Sequence, residues 1–306
     1  MIGFVGVHLG RTSLSGRLLD PAGESLAAWQ RRYRGAKELT EALAHLLEAL
    51  PPLEPGSVVG IGLEKGHRIS LPLGELEKRL PEGVSLLSFP AGLAILLGAV
   101  PSGPAMLLAL GSDLRIAALD STHTYREYRL QEGGGQWWTL EVKRLAEHSQ
   151  RLTRALSSFE TPPQVMKALP RLLELGDFPS PDPVLKARLD GLGETIAQSC
   201  MGLASRLPGI RRLVMSGFLY PSPLSRRVEE ACQGVLGLPK PHFSADVGAA
   251  LLGLALYREN QERQHLGKPL ETGRFPATEW GASPVLLRRL YRLRRPFEAF
   301  RRAGDP

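Results

Sequence analysis

The chain has 306 residues, 43% of them hydrophobic, and its 38 lysines and arginines outnumber its 31 acids to leave a net charge of +7. Such a length buries one large core or two moderate ones, and it leans to two domains. Two cysteines far apart in sequence, Cys200 and Cys232, exclude a disulfide framework or a cysteine zinc site and fit a reducing, cytoplasmic setting. No basic segment leads into an apolar signal at the N-terminus, and no apolar run reaches the roughly 18 residues of a membrane span, so no membrane role is expected.

Charge is unevenly placed. Between Leu286 and Pro306, seven arginines (Arg288, Arg289, Arg292, Arg294, Arg295, Arg301 and Arg302) face only Glu298 and Asp305, a net of +5. The body is therefore close to neutral, which tells against nucleic-acid binding by the body. Tyr291, Phe297 and Phe300 interleave with these arginines, so the tail reads as an element that docks on an acidic partner or on the protein's own body. A solvated basic helix and an anion-binding arm are the other readings.

In chain order, Ile2, Phe4, Val5 and Val7 make a buried strand, Gly10-Arg11-Thr12-Ser13 a small-residue turn, and Leu14, Leu18 and Leu19 a second strand. Asp20-Pro21-Ala22-Gly23 turns into a third strand, Ser25 to Tyr33. Leucines at helical spacing predict a helix from Lys37 to Leu50, ended by Pro51-Pro52. The wholly apolar run Val58 to Leu63 reads as a central strand, followed by a helix (Leu73 to Leu80), a strand (Val84 to Phe89) and a helix (Ala91 to Val100). The order β-β-β-α-β-α-β-α is that of a layered α/β domain.

After the loop Pro101-Ser102-Gly103-Pro104 the pattern restarts. Ala105 to Leu110 is a strand, Gly111-Ser112-Asp113 a turn, Leu114 to Asp120 a second strand and Thr122 to Leu130 a third, which points to an internal duplication. A helical stretch runs from Trp137 to about Phe159, with Trp137-Trp138 as a core anchor at its start. A proline-punctuated segment (Pro162 to Pro183) separates it from a helix over Val184 to Leu207. Arg211 to Gly217 is a strand with a small-residue turn, Ser222 caps a helix from Leu224 to Leu236, and an Ala/Gly-rich helix spans Val247 to Tyr257. The last predicted helix, Pro284 to Arg302, carries the arginines.

A glycine turn between buried strands exposes backbone N–H groups with no side chain in the way, a generic phosphate cradle. GFVGVHLGRTSLSGRLLDPAGESL resembles the first phosphate hairpin, and MLLALGSDLRIAALD the second, of the actin, hexokinase and Hsp70-type ATPases. LVMSGFLYPSPLSRRVEEACQGVLGLP, followed by SADVGAALLGLAL, is similar to their adenosine-binding segment. Within that superfamily the chain looks most like the N-acetylglucosamine kinase and benzoyl-CoA reductase-type ATPase branch, with the FGGY carbohydrate kinases second. The resemblance implies two duplicated ribonuclease-H-like α/β domains with an interdomain cleft, at 1–103 and 104–260, plus the basic tail at 261–306. It also implies ATP and magnesium as cofactors and a small sugar as substrate. Gly10, Arg11, Thr12, Ser13, Gly111, Ser112, Gly217 and Ser222 would then contact the nucleotide.

Several positions depart from this pattern. His8 stands where such kinases carry the metal- and phosphate-organising aspartate, and it reads as a hydrogen-bonded turn histidine. Pro90 stands where they carry the general base, and Gly217 is followed by Phe218 rather than by a second glycine. A positioned general base is worth roughly 10²- to 10⁴-fold in rate, and proline accepts no proton. Asp113 as metal ligand and catalytic acid residue, Glu64 as base and Arg11 on phosphate are the substitutes within the matched motifs. Two expectations follow: a sugar-kinase-like phosphotransferase with a degenerate site, or an inactive pseudokinase that regulates or assembles a partner through its tail. The cysteines lack the surroundings of the iron–sulfur ATPases of this superfamily.

Overall fold

The structure is a computed structural model in which residues 1–10, 13–63, 73–100, 104–122, 124–177, 179–239 and 245–270 are described. Expectations for Arg11, Thr12, Glu64 and the arginine tail lie outside the described residues. In chain order the elements are β1 (Phe4–Leu9), β2 (Ser13–Leu19), β3 (Ser25–Arg32), α1 (Ala36–Glu48), β4 (Val58–Leu63), α2 (Leu73–Arg79), β5 (Ser85–Pro90) and α3 (Ala91–Ala99). They continue with β6 (Ala105–Leu110), β7 (Leu114–Leu119), β8 (Tyr125–Leu130), α4 (Gly135–Ala146), α5 (Gln150–Leu156), α6 (Pro162–Leu173) and α7 (Pro183–Arg206). β9 (Leu213–Ser216), α8 (Pro223–Cys232) and α9 (Ala245–His265) complete the described chain.

The chain divides into two compact units: Met1–Gly103 with Thr122–Tyr125 and Pro241–Pro306, and Pro104–Ser121 with Arg126–Lys240. Helix α9 thus belongs to the first unit, whereas the boundary drawn at residue 260 from sequence put it in the second. Its reason for being there is steric. A Cβ on Gly6 of β1 would fall 1.8 Å from the Asp246 carbonyl oxygen, and one on Gly248 would fall 2.0 Å from that of Ala94 in α3. Only glycines let α9 lie this close to a strand and to a helix at once.

The first unit holds a five-stranded sheet in the order β3-β2-β1-β4-β5, with β1 antiparallel to β2 and parallel to β4. Strand alternation sends Val5, Val7, Leu9, Leu14, Leu18, Val59 and Ile61 to one face, where Leu39, Leu43 and Leu46 of α1 close a buried core. Burying each such side chain contributes about 1.5–3 kcal/mol. The opposite face carries Phe4, Gly6 and His8, and Phe4 meets Tyr257 of α9 with ring centroids 5.2 Å apart.

The second unit repeats the plan in a four-stranded sheet, β8-β7-β6-β9, with β6 antiparallel to β7 and parallel to β9. Leu108, Leu110 and Ile116 share a core with Trp138 and Val142 of α4 and with Leu189 and Leu192 of α7.

Two stretches depart from the sequence reading. The long helix expected from Trp137 breaks at Ser149, whose hydroxyl accepts the Leu152 N–H at 3.1 Å and starts α5 afresh. The proline-punctuated segment after Phe159 contains a helix of its own, opened by its first prolines. Pro162 and Pro163 sit in the first turn of α6, where no N–H donor is required, and the Gln164 side chain accepts the Thr161 N–H at 2.9 Å.

Candidate functional site

The two glycine turns are equivalent in their surroundings. Each follows the central strand of its sheet, and each central strand lies between an antiparallel hairpin partner and a parallel neighbour.

In the first unit, Leu9 pairs with Leu14 across the turn, and the Gly10 N–H donates to the Ser13 carbonyl at 2.8 Å. The buried Tyr33, just past β3, donates its hydroxyl to the Gly10 carbonyl. The Gly10 carbonyl is thus tied back to the protein.

His8, two residues earlier, is not the hydrogen-bonded turn histidine expected from sequence. Its Nδ1 is sealed from solvent without a hydrogen-bond partner among the described residues. Burial pushes the imidazole below its ordinary pKa, while the Asp246 carboxylate pulls it back up. Asp246, in the first turn of α9, is buried, with its Oδ2 3.6 Å from Arg17 Nε and its Oδ1 without a hydrogen-bond partner among the described residues. Sequence reasoning missed Asp246 as the charge acting on His8, and Arg17 as the ion-pair partner of Asp246. The signal available was an aspartate opening an otherwise apolar Ala/Gly helix, a poor place for a charge unless something answers it.

In the second unit, Leu110 pairs with Leu114 around Gly111, Ser112 and Asp113. The first amides of α4 are already used there: Gly135 N–H donates to the Gly111 carbonyl and Gln136 N–H to the Ser112 carbonyl, both at 2.9 Å. Asp113 is held by two arginines, Oδ1 at 2.8 Å from Arg129 and Oδ2 at 3.4 Å from Arg115, and Arg115 also reaches Glu127 at 3.0 Å. Both carboxylate oxygens therefore face cations. Among the described residues no group of three or more His, Cys, Asp or Glu side chains is arranged to hold a metal ion.

The end of β9 packs on the same turn. Gly217 has φ +117°, and a Cβ there would fall 2.4 Å from the Leu110 carbonyl oxygen. Leu219 N–H donates to that carbonyl at 3.1 Å. The ring of Phe218, 42% exposed, lies over Gly135, where a Cβ would meet it at 2.3 Å. Ser222 is the N-cap of α8 as expected, accepting the Ser225 N–H at 3.3 Å, and its side chain is fully buried. Its hydroxyl serves the helix and does not face solvent.

Among the predicted site residues, Gly111, Ser112, Asp113, Gly217 and Ser222 stand in the second unit, and Gly10 and Ser13 in the first. Pro90 closes β5 and forms the N-cap of α3, so the position of the expected base is a helix start.

The two α/β units built on duplicated hairpins have the two-domain fold of the actin, hexokinase and Hsp70-type ATPases, as the sequence resemblance implied. The chain is similar to a protein from Chromobacterium violaceum provisionally assigned as an N-acetylglucosamine kinase, at 22% identity over 82% of this chain and 99% of that one, with a TM-score of 0.58. It is also similar to a ROK-family glucokinase from Streptomyces griseus, solved with glucose and AMPPNP, at 15% identity over 82% of this chain and 97% of that one, with a TM-score of 0.55. A ROK-family transcriptional regulator, a homologue of the E. coli MLC protein, aligns at 14% identity over 95% of this chain and 81% of that one, with a TM-score of 0.54. At these identities the likeness is one of fold. No protein-family model and no curated protein matches the chain. Among the described residues no helix is long and apolar enough to cross a membrane.

Proposed function

We propose that the protein is a cytoplasmic, sugar-kinase-like nucleotide-binding protein whose phosphotransfer site is degenerate. The observation that carries this reading is the duplicated central strand with its glycine turn, at Gly10 in one unit and Gly111 in the other. ATP is the nucleotide favoured, because the Streptomyces griseus glucokinase of the same fold was solved with an ATP analogue and a sugar. Gly10, Arg11, Thr12 and Ser13 in the first unit, and Gly111 and Ser112 in the second, would each be phosphate contacts. Gly217 would let the backbone approach the nucleoside, and Ser222 would shape that segment as a helix cap. Glu64 is the remaining candidate for a base.

Among the described residues, the side chains do not fit a magnesium site as they stand. Asp113, the acid expected to hold the ion, has Arg129 and Arg115 on its two oxygens, and a cation would have to displace both. No step is therefore assigned to magnesium. Asp113 instead orders two arginines beside the second glycine turn, where guanidinium groups suit phosphate.

A second reading is favoured by the same carboxylate and by Pro90: a pseudokinase that binds nucleotide without turning it over and acts on a partner through residues 286–306. The similarity to a transcriptional regulator of this fold is in keeping with it. Calorimetric titration with ATP, with and without magnesium, followed by a sugar-phosphorylation screen, separates the readings. Turnover supports the kinase, binding without turnover supports the pseudokinase, and no heat at millimolar ATP sinks both.

A further inference from the structure

Of the four buried side-chain polar atoms that lack a hydrogen-bond partner in the described structure, three belong to one neighbourhood: His8 Nδ1, Arg17 Nε and Asp246 Oδ1. They come from three elements, and the register of the sheet explains their meeting. Gly6 of β1 stands opposite Arg17 of β2, and His8 stands opposite Ser15, so period-two alternation puts His8 and Arg17 on the face that carries Gly6. That face is covered by the first turn of α9, since the space beside Gly6 is taken by the Asp246 carbonyl oxygen and the Ala250 amide. Across β1 on the other side, Gly60 and Gly62 of β4 stand opposite Gly6 and His8 and bring no side chain.

A buried aspartate without full compensation costs several kcal/mol, so a carboxylate with one oxygen unmet needs a reason to be there. The Arg17 ion pair satisfies part of it, at 3.6 Å, beyond hydrogen-bond reach. The free Oδ1 and the free His8 Nδ1 are chemically complementary, because a protonated Nδ1 is a donor and a carboxylate only accepts.

We propose that Asp246, anchored by Arg17, is the positioning carboxylate of His8, and that the three form a proton-responsive charge couple at the base of the Gly10 turn. Among the described residues the charged groups facing His8 are few. Asp246 comes from α9 and Arg17 from β2, while β4 (Val58–Leu63) and α3 (Ala91–Ala99) contain no ionisable side chain. With His8 neutral, the couple carries the cancelling charges of Arg17 and Asp246. With His8 protonated it is net positive, two residues before Gly10. The couple then favours an anion at that turn, so phosphate affinity rises as pH falls. This service to phosphate rests on the nucleotide reading above, whereas the coupling itself does not.

The test is the titration of His8, followed by long-range proton–nitrogen NMR in the full chain, in the wild type, in Asp246→Asn and in Arg17→Gln. Removing the carboxylate moves the His8 transition to lower pH. Removing the guanidinium, which leaves Asp246 without its counter-charge, moves it to higher pH. These opposite shifts are outside the reach of a general loss of packing, and native dispersion of the other resonances shows that each variant is folded. Should either variant fail to fold, the other carries the test, because each has its own required direction. A His8 transition that stays put, or moves the same way in both, overturns the proposal. ATP titrations of the wild type across the same pH range address the nucleotide reading separately. Binding that tightens several-fold through the His8 transition supports the phosphate role, and absence of ATP binding removes that role while the shifts still decide the coupling.

Discussion

Gly217 and Leu110 touch backbone to backbone: a Cβ on Gly217 would fall 2.4 Å from the Leu110 carbonyl oxygen and 3.0 Å from its nitrogen. The contact fixes the end of β9 over the second glycine turn. It also uses a φ of +117° that only glycine adopts without strain. Gly217→Ala pays for both the dihedral and the clash, and about 2–4 kcal/mol of stability is expected to be lost. Urea unfolding followed by circular dichroism measures it, and an unchanged midpoint would show that the strand end yields freely.

Much of this architecture is legible in the sequence because strands with a buried alternate face announce themselves. Val58 to Leu63 and Ala105 to Leu110 are strands over the residues their apolar runs mark. The helix at Pro162 was hidden, since prolines that punctuate a loop and prolines that open a helix look alike until the cap is seen. Helix α9 was found, but its place in the first unit was not, because Gly6 and Gly248 signal close approach without naming the partner. The site is read least well for the same reason. His8 and Arg17 are separated from Asp246 by more than two hundred residues, and only the sheet register and the covering helix bring them together.

The cysteines yield a chemical prediction. Cys200 in α7 and Cys232 in α8 are both fully buried and free, and burial pushes the Cys200 thiol up to about 12, with Cys232 adding to the effect. The thiolate is the reactive form, so native protein at pH 8 should label at neither thiol within the time that denatured protein labels at both. Prompt modification of one equivalent under native conditions would contradict the packing of α7 against α8.

Asp113 restrains Arg129 and Arg115, so Asp113→Ala is expected to release Arg129 beside the second turn while Glu127 still holds Arg115. A released Arg129 near a phosphate site raises the affinity for magnesium-free ATP, by about tenfold if the release is worth about 1.4 kcal/mol. Calorimetry on the variant and on Arg129→Ala decides it. The alanine at 113 should bind ATP more tightly and the alanine at 129 more weakly. Weaker binding in both would mean that Asp113 supports the ligand rather than competing with it for Arg129.

The half-buried imidazole of His8 sets a pH dependence of stability with a definite sign. Burial, opposed by Asp246, lowers the folded-state pKa of His8 from its ordinary 6.5, so the denatured chain takes up this proton first as the medium is acidified. Above the ordinary value both states are neutral at His8, and the contribution to stability is fully present. As pH falls below 6.5 that contribution is lost, and the loss levels off once the folded state is protonated too. Wild type should therefore lose denaturation midpoint between neutral pH and pH 5 more steeply than His8→Gln, which has no proton to take up. Parallel slopes for the two proteins would place the acid sensitivity elsewhere and show that the imidazole titrates alike in both states.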